Sequence, residues 1–288
     1  MLKKILIIAA LAILSLYFLA NNIIPEKDFL ITENGLAAYP ENRGKVNLKR
    51  TILEENTTYA MEAVNFQSKG LRIYGLLFLP KDSNNIGIVT LPGANGGKGN
   101  HKLLGTKLAS RGITVLALDQ RTIGETGGSL NSPQQDFELF NLGKEPTQYL
   151  PFYDALRAKD VLSSLKIKNI LIMGESMGGR FAINAAAIDK EIKGAIVFST
   201  AGFHEEGIGA SFIHSFNPNA YVPNISPRKI VMFHSERDSV IPIEDARKTF
   251  GLAKEPKEFI LLPEQCDHGY CDEAFEIFYG KILAITKG

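Results

Sequence analysis

The chain has only two cysteines, too few for a disulfide framework or a Cys-rich zinc site. It lacks a surplus of either charge. Its 32 Lys+Arg face 31 Asp+Glu, and the net charge of +1 becomes −1 once Lys3 and Lys4 at the amino terminus are set aside. Without a basic surplus there is no footprint for a phosphate backbone, so no nucleic-acid partner is expected. No internal repeat occurs, and the glycine-rich stretch Gly93-Ala94-Asn95-Gly96-Gly97-Lys98 places its lysine wrongly for a G-x-x-x-x-G-K-[ST] phosphate loop. What is present, 45% hydrophobic and 22% charged residues over 288 positions, is ordinary globular usage and excludes a disordered chain.

One long apolar run stands apart. Residues 5–20 read ILIIAALAILSLYFLA, with Ser15 the only polar residue and Lys3 and Lys4 in front. As a helix this run covers about 24 Å, and extending it through Ile23 and Ile24 reaches about 30 Å, the hydrocarbon thickness of a bilayer. A cleaved signal peptide is the alternative, although its apolar region usually spans about 7–15 residues and wants small residues at the cleavage site. Here Phe18 lies two positions before Ala20. Residues 1–25 are therefore expected to be a signal anchor or signal peptide. The first gives an exported domain held to a membrane by one amino-terminal helix, the second a secreted one. Residues 26–58 are mixed and polar and read as a stalk or edge segment, leaving 59–288 as the main domain.

From Tyr59 the chain alternates. TYAMEAVNFQ and LRIYGLLFLP flank Ser68-Lys69-Gly70 and read as an antiparallel hairpin. IGIVTLP, ITVLALD, KNILIMG, IKGAIVFS, RKIVMFHS and KEFILLP are short apolar runs of the kind buried on both faces of a sheet. Helical stretches separate most of them. This order predicts an α/β protein with a mostly parallel, doubly wound sheet of about eight strands. Ligands bind at the carboxyl ends of such strands.

There the sequence carries its chemistry. KNILIMG runs into Gly174-Glu175-Ser176-Met177-Gly178-Gly179, a G-x-S-x-G motif between a strand and a helix. A serine lifted out of the sheet needs a sharp, strained turn, and side chains at Gly174 or Gly178 would collide there. The sequence at this point resembles the α/β-hydrolase family, of serine esterase and lipase type or of the dienelactone hydrolase and prolyl oligopeptidase branch. The resemblance spans about Tyr59 to Ile285. It implies a nucleophile, acid and base in that chain order: Ser176, then Asp238 in Asp238-Ser239-Val240-Ile241-Pro242, then His268 in Cys266-Asp267-His268-Gly269. Glu236 is a rival acid in the same loop, and Asp245 reads as a first-turn helix carboxylate. Asp267 adjoins the histidine, but adjacent side chains diverge. His234 is assigned a packing or hydrogen-bonding role.

The resemblance also implies an oxyanion hole from the amides of Met177 and Ala94. Asp119-Gln120-Arg121-Thr122-Ile123-Gly124 is similar to a structural turn of the family, with Thr122 where a glycine is usual. The expected activity is hydrolysis of a carboxylic ester or thioester through an acyl-enzyme, on a small-molecule substrate and without metal or cofactor. A serine peptidase of prolyl oligopeptidase type and a catalytically silent binding protein are the alternatives. Residues 120–150 and 200–227, long and aromatic, are expected to shape the pocket. Cys266 and Cys271 could pair or stay free.

Overall fold

A computed structural model describes residues 29–287 of the chain. The anchor or signal assigned to residues 1–25 lies outside them. Among the described residues no helix is long and apolar enough to cross a membrane.

In chain order the elements are β1 (Leu30–Ile31), β2 (Ala37–Ala38), β3 (Lys49–Glu55), β4 (Tyr59–Ser68), β5 (Leu71–Pro80), β6 (Ile86–Leu91), α1 (Lys102–Ala109), β7 (Ile113–Leu118), α2 (Pro133–Asn141) and α3 (Leu150–Ser164). They continue with β8 (Asn169–Glu175), α4 (Met177–Ile188), β9 (Gly194–Phe198), α5 (Ala210–His214), α6 (Pro218–Tyr221), β10 (Lys229–His234), α7 (Ile243–Leu252), β11 (Lys257–Leu261) and α8 (Phe275–Lys287). Strands β1 and β2 form a small antiparallel pair. The other nine make one sheet in the order β11-β10-β9-β8-β6-β7-β5-β4-β3. Strands β6 to β11 run parallel, and β3, β4 and β5 form an antiparallel wing joined through β5 to β7.

The central strands read as continuous apolar runs because both of their faces are covered. Val89, Leu116, Ile170, Ile172, Val197 and Met232 enter the layer that contains α3 and α4. Their neighbours Ile88, Val115, Leu171, Met173, Ile196 and Phe233 enter the opposite layer with α1 and α8. A period of two with both sets apolar is the signature of a sheet sandwiched between helices.

The sheet has nine strands rather than about eight. The addition is β3, within the segment read as stalk or edge. Every residue of β3 is exposed, so no alternation marks it, and it is held by pairing to β4 and by the Arg50–Glu62 ion pair. The same segment also enters the core, where Leu36, Ala37 and Tyr39 are buried. The long segment 120–148 contains α2, which a sequence reading as loop misses. Its start is nonetheless written in the chain: Ser132 caps it, Pro133 opens it, and Gln135 completes a capping box.

Candidate active site

The carboxyl ends of the parallel strands lie at one end of the sheet. At the end of β8, Ser176 has φ 51° and ψ −120°, a left-handed conformation that a serine adopts only under constraint. The glycines around it have a steric reason. A Cβ on Gly174 would stand 2.2 Å from the Gly178 carbonyl oxygen, and one on Gly178 would stand 2.3 Å from that of Leu91. The turn closes only without side chains at those positions. The Ser176 amide donates to the Phe198 carbonyl and the Thr200 hydroxyl donates to the Ser176 carbonyl, so β9 anchors the turn from the other side. Met177 opens α4, and its amide has no carbonyl one turn back within the helix.

The loop after β6 lies against the serine. A Cβ on Gly93 would be 3.3 Å from the Ser176 Cβ and 3.9 Å from its Oγ. Ala94 follows in that loop and is exposed. Gln120 holds the loop by donating to the Pro92 carbonyl. Asp119 binds the Lys98 amide and ammonium and the Glu125 amide, so the family-like turn at 119–126 braces this loop. Thr122, at the position where the family has glycine, takes φ 75°. Arg121 forks onto the buried Asp154.

The two residues expected to serve as acid and base come together. Asp238 follows β10 and its side chain is 0% exposed, while that of His268, after β11, is 24% exposed. The carboxylate oxygens lie 2.8 and 3.0 Å from the His268 Nδ1. The amides of Val240 and Ile241 donate to the same carboxylate at 2.9 and 2.8 Å. Burial alone raises a carboxyl pKa. Here the Ile241 and Val240 amides, the Ser199 hydroxyl and His268 outweigh it and hold Asp238 below its usual value. With Nδ1 engaged, Nε2 is the nitrogen left to exchange a proton.

The rival carboxylates go elsewhere. Glu236 is exposed, and Asp245 sits in the first turn of α7 and pairs with Lys248. Asp267 accepts from the Ser239 amide and hydroxyl at 2.9 and 3.0 Å, tying the acid loop to the base loop without touching the ring. His234 hydrogen-bonds the Ile241 carbonyl at 3.0 Å, and burial lowers its pKa. Cys266 and Cys271 are joined in a disulfide around His268. Among the described residues they form with Glu273 the one group whose ligand atoms stand close enough for a metal, but the bridge removes both thiolates as donors.

Sequence reasoning missed His101 and gave Glu175 no role beyond filling the motif. His101 is buried, with Nε2 3.4 Å from the Glu175 carboxylate. A buried histidine ten residues past a strand carries no local signal.

Beside Met177 lies a cavity of about 210 Å³ walled by Phe152, Phe181, Phe203 and Phe216, with Gln148, Arg180 and Asn184 as its polar groups. Both long segments contribute, through Gln148 from one and Phe203 and Phe216 from the other. Phe137, Phe140 and Phe212 pack as an aromatic layer around these walls. Tyr221 is buried in the core, donating to the Ala37 and Ser215 carbonyls. Arg180 stacks over Phe203 at 4.2 Å and donates to the Ala201 carbonyl at 2.8 Å.

A mostly parallel sheet with a strained serine turn, and with an acid and a histidine after later strands, defines an α/β-hydrolase. The chain belongs to the dienelactone hydrolase family, whose pattern matches residues 73–280. It is 28% identical over 221 residues to the uncharacterized protein YfhR of Escherichia coli (strain K12), covering 72% of this chain and 73% of that one. Cutinase est2 of Thermobifida alba is 28% identical over 123 residues, 42% of this chain and 37% of the cutinase. Among solved structures, the acetyl xylan esterase from Paenibacillus sp. R4 superposes with a TM-score of 0.71 at 19% identity, over 85% of this chain and 90% of that one.

Proposed function

We propose that this protein is a serine hydrolase that cleaves a carboxylic ester or thioester through an acyl-enzyme on Ser176. The observation that carries the reading is the fully buried Asp238 carboxylate facing His268 Nδ1, at the same end of the sheet as the strained Ser176 turn. His268 Nε2 accepts the Ser176 proton as Oγ attacks the carbonyl carbon. Asp238 holds the ring and stabilises the imidazolium. The amides of Met177 and Ala94 receive the negative charge on the carbonyl oxygen. The carbon–oxygen or carbon–sulfur bond then breaks, and the leaving group departs with the proton from His268. Water, deprotonated by the same nitrogen, attacks the acyl-enzyme, releases the acid and restores the serine. The aromatic cavity beside Met177 receives one side of the substrate, and its volume suits a short acyl chain or a single ring. The esterase and cutinase neighbours support an ester in preference to a peptide.

A fluorophosphonate probe tests the activated serine. It is expected to label the wild type and leave Ser176→Ala untouched, while a panel of acyl esters set beside short peptides separates esterase from peptidase. A wild type inert toward the probe would sink the reading and leave the silent binding protein. We further propose that the catalytic domain works outside the cytoplasm, anchored or secreted through residues 1–25. The apolar run at 5–20 behind two lysines and the Cys266–Cys271 bridge support this, since disulfides persist in oxidising compartments. Full-length protein found soluble in the cytoplasm after fractionation would overturn it.

A further inference from the structure

Three loops must keep their spacing for the proposed chemistry. The loop after β6 carries the Ala94 amide, the turn after β8 carries Ser176, and the loop after β11 carries His268. Strands β6 and β8 are neighbours, but β11 lies three places beyond β8 in the sheet. Main-chain pairing alone therefore ties the oxyanion loop to the serine far more closely than it ties the histidine loop.

Glu175 spans that gap. It is the last residue of β8 and directly precedes Ser176, and its side chain is 16% exposed. One carboxylate oxygen accepts the Gly93 amide at 3.4 Å, and the other accepts the Tyr270 amide at 3.0 Å. Gly93 is one residue before Ala94, and Tyr270 is two residues after His268. The approach is close: a Cβ on Gly269, which has φ 83°, would stand 3.0 Å from the same oxygen. His101, 2% exposed, lies behind the carboxylate with Nε2 at 3.4 Å. The pKa of Glu175 is held below the ordinary value against the opposing effect of burial. Burial is the largest single effect and raises it; His101 is the largest of those that lower it, followed by the Tyr270 and Gly93 amides, which together leave the group an anion at neutral pH.

We infer that Glu175, backed by His101, is the positioning residue of this site: its two oxygens clamp the oxyanion loop and the histidine loop to either side of the nucleophile. The inference rests on Ser176 acting as the nucleophile. A carboxylate can do this where an amide cannot. Both oxygens of Glu accept, whereas Gln offers one acceptor and turns an NH2 group toward a second N–H donor. An anion beside a developing oxyanion is electrostatically unfavourable by itself. If that repulsion dominated, neutralising Glu175 would speed the reaction. If positioning dominates, neutralising it slows the reaction, because displacing reacting groups by about 1 Å costs on the order of 100-fold.

The experiment compares the full chain with Glu175→Gln and Glu175→Asp on p-nitrophenyl acetate and with a fluorophosphonate. Amide hydrogen exchange is followed in peptides spanning 92–97 and 268–271. For Glu175→Gln, kcat is expected to fall about 100-fold with KM within about threefold, and the rate of fluorophosphonate labelling falls in parallel. Exchange speeds up in those two segments ahead of the rest of the sheet. Glu175→Asp keeps the charge but is one methylene shorter, so it cannot reach both amides, and its kcat is expected to fall about tenfold. Should Glu175→Gln fail to fold, Glu175→Asp carries the same readouts. A reactive wild type with Glu175→Gln at or above wild-type kcat, or with unchanged exchange in both segments, overturns the clamp alone. Full recovery in Glu175→Asp also overturns it, since charge rather than reach would then be the requirement. A wild type inert toward both ester and probe removes the serine hydrolase reading and the clamp with it.

Discussion

Asp238 and Asp267 lie close to the same imidazole and do different work. Asp238 arrives from β10 and meets the ring nitrogen, while Asp267, next to His268 in sequence, turns away to Ser239. In the proposed mechanism Asp238→Asn is expected to lower kcat by about 10⁴-fold with the fold intact, because the amide presents the wrong partner to Nδ1–H. Asp267→Asn keeps that contact and loses only part of the tie to Ser239, so a drop of about tenfold is expected. Comparing kcat/KM of the two on one activated ester, with circular dichroism as the check on folding, decides the assignment. A crippled Asp267→Asn beside a near-normal Asp238→Asn would reverse it. Thr122 is a second residue whose role is local. A β-branched side chain at φ 75° is strained, and the family's glycine would relieve this at some entropic cost in the unfolded chain. Thr122→Gly is expected to stabilise the protein by about 1 kcal/mol, raising Tm by about 2–4 °C with kcat unchanged. A lower Tm would show that the threonine contributes more than its strain costs.

At the scale of elements, the histidine loop is fastened at several points. Its Cys266 and Cys271 are bridged, Ser235 donates to the Cys266 carbonyl at 2.7 Å, and Glu175 takes the Tyr270 amide. A disulfide closing so short a loop constrains little of the unfolded chain, so its value is local. Replacing both cysteines by serine is expected to cost about 2 kcal/mol or less in stability. The same change is expected to lower kcat by roughly three- to tenfold through a looser His268. Urea unfolding and ester hydrolysis of the double variant read the two effects separately. A large loss of stability with kcat unchanged would place the bridge in the scaffold instead.

At the scale of the whole molecule, burial of ionisable groups links stability to pH. Burial pushes the pKa of His234 below 6.5, so the unfolded chain takes up that proton first, and stability begins to fall as pH drops through about 6.5. Asp238 and Glu175 are held below their ordinary values of 3.8 and 4.5. Their stabilisation is complete above those values and is lost as pH falls beneath them toward the folded-state pKa. Tm measured from pH 8 to pH 3 is therefore expected to decline in two stages, a shallow one near neutrality, opposed by the buried Asp154 whose carboxyl burial pushes up to about 6, and a steep one in acid. His234→Gln removes the first stage and Glu175→Gln flattens the second. Variants whose Tm–pH profiles keep the wild-type shape would contradict both assignments.

The sequence by itself determined the alternation of strands and helices and the serine turn with its glycines. Through its resemblance to the α/β-hydrolases it also pointed to Asp238 and His268, which follow β10 and β11. These features are local: they follow from side-chain periodicity, from the steric demands of one turn and from the order in which strand ends arrive. The sequence left open whether Cys266 and Cys271 pair, and it hid β3, whose fully exposed residues carry no periodic mark. It gave no hint that Glu175 reaches two loops or that His101 lies behind it. Tertiary structure decided those points, because each depends on how close separate strand ends stand across a twisted sheet. That distance is set by the packing of two apolar layers against the sheet and by no residue's immediate neighbours in the chain.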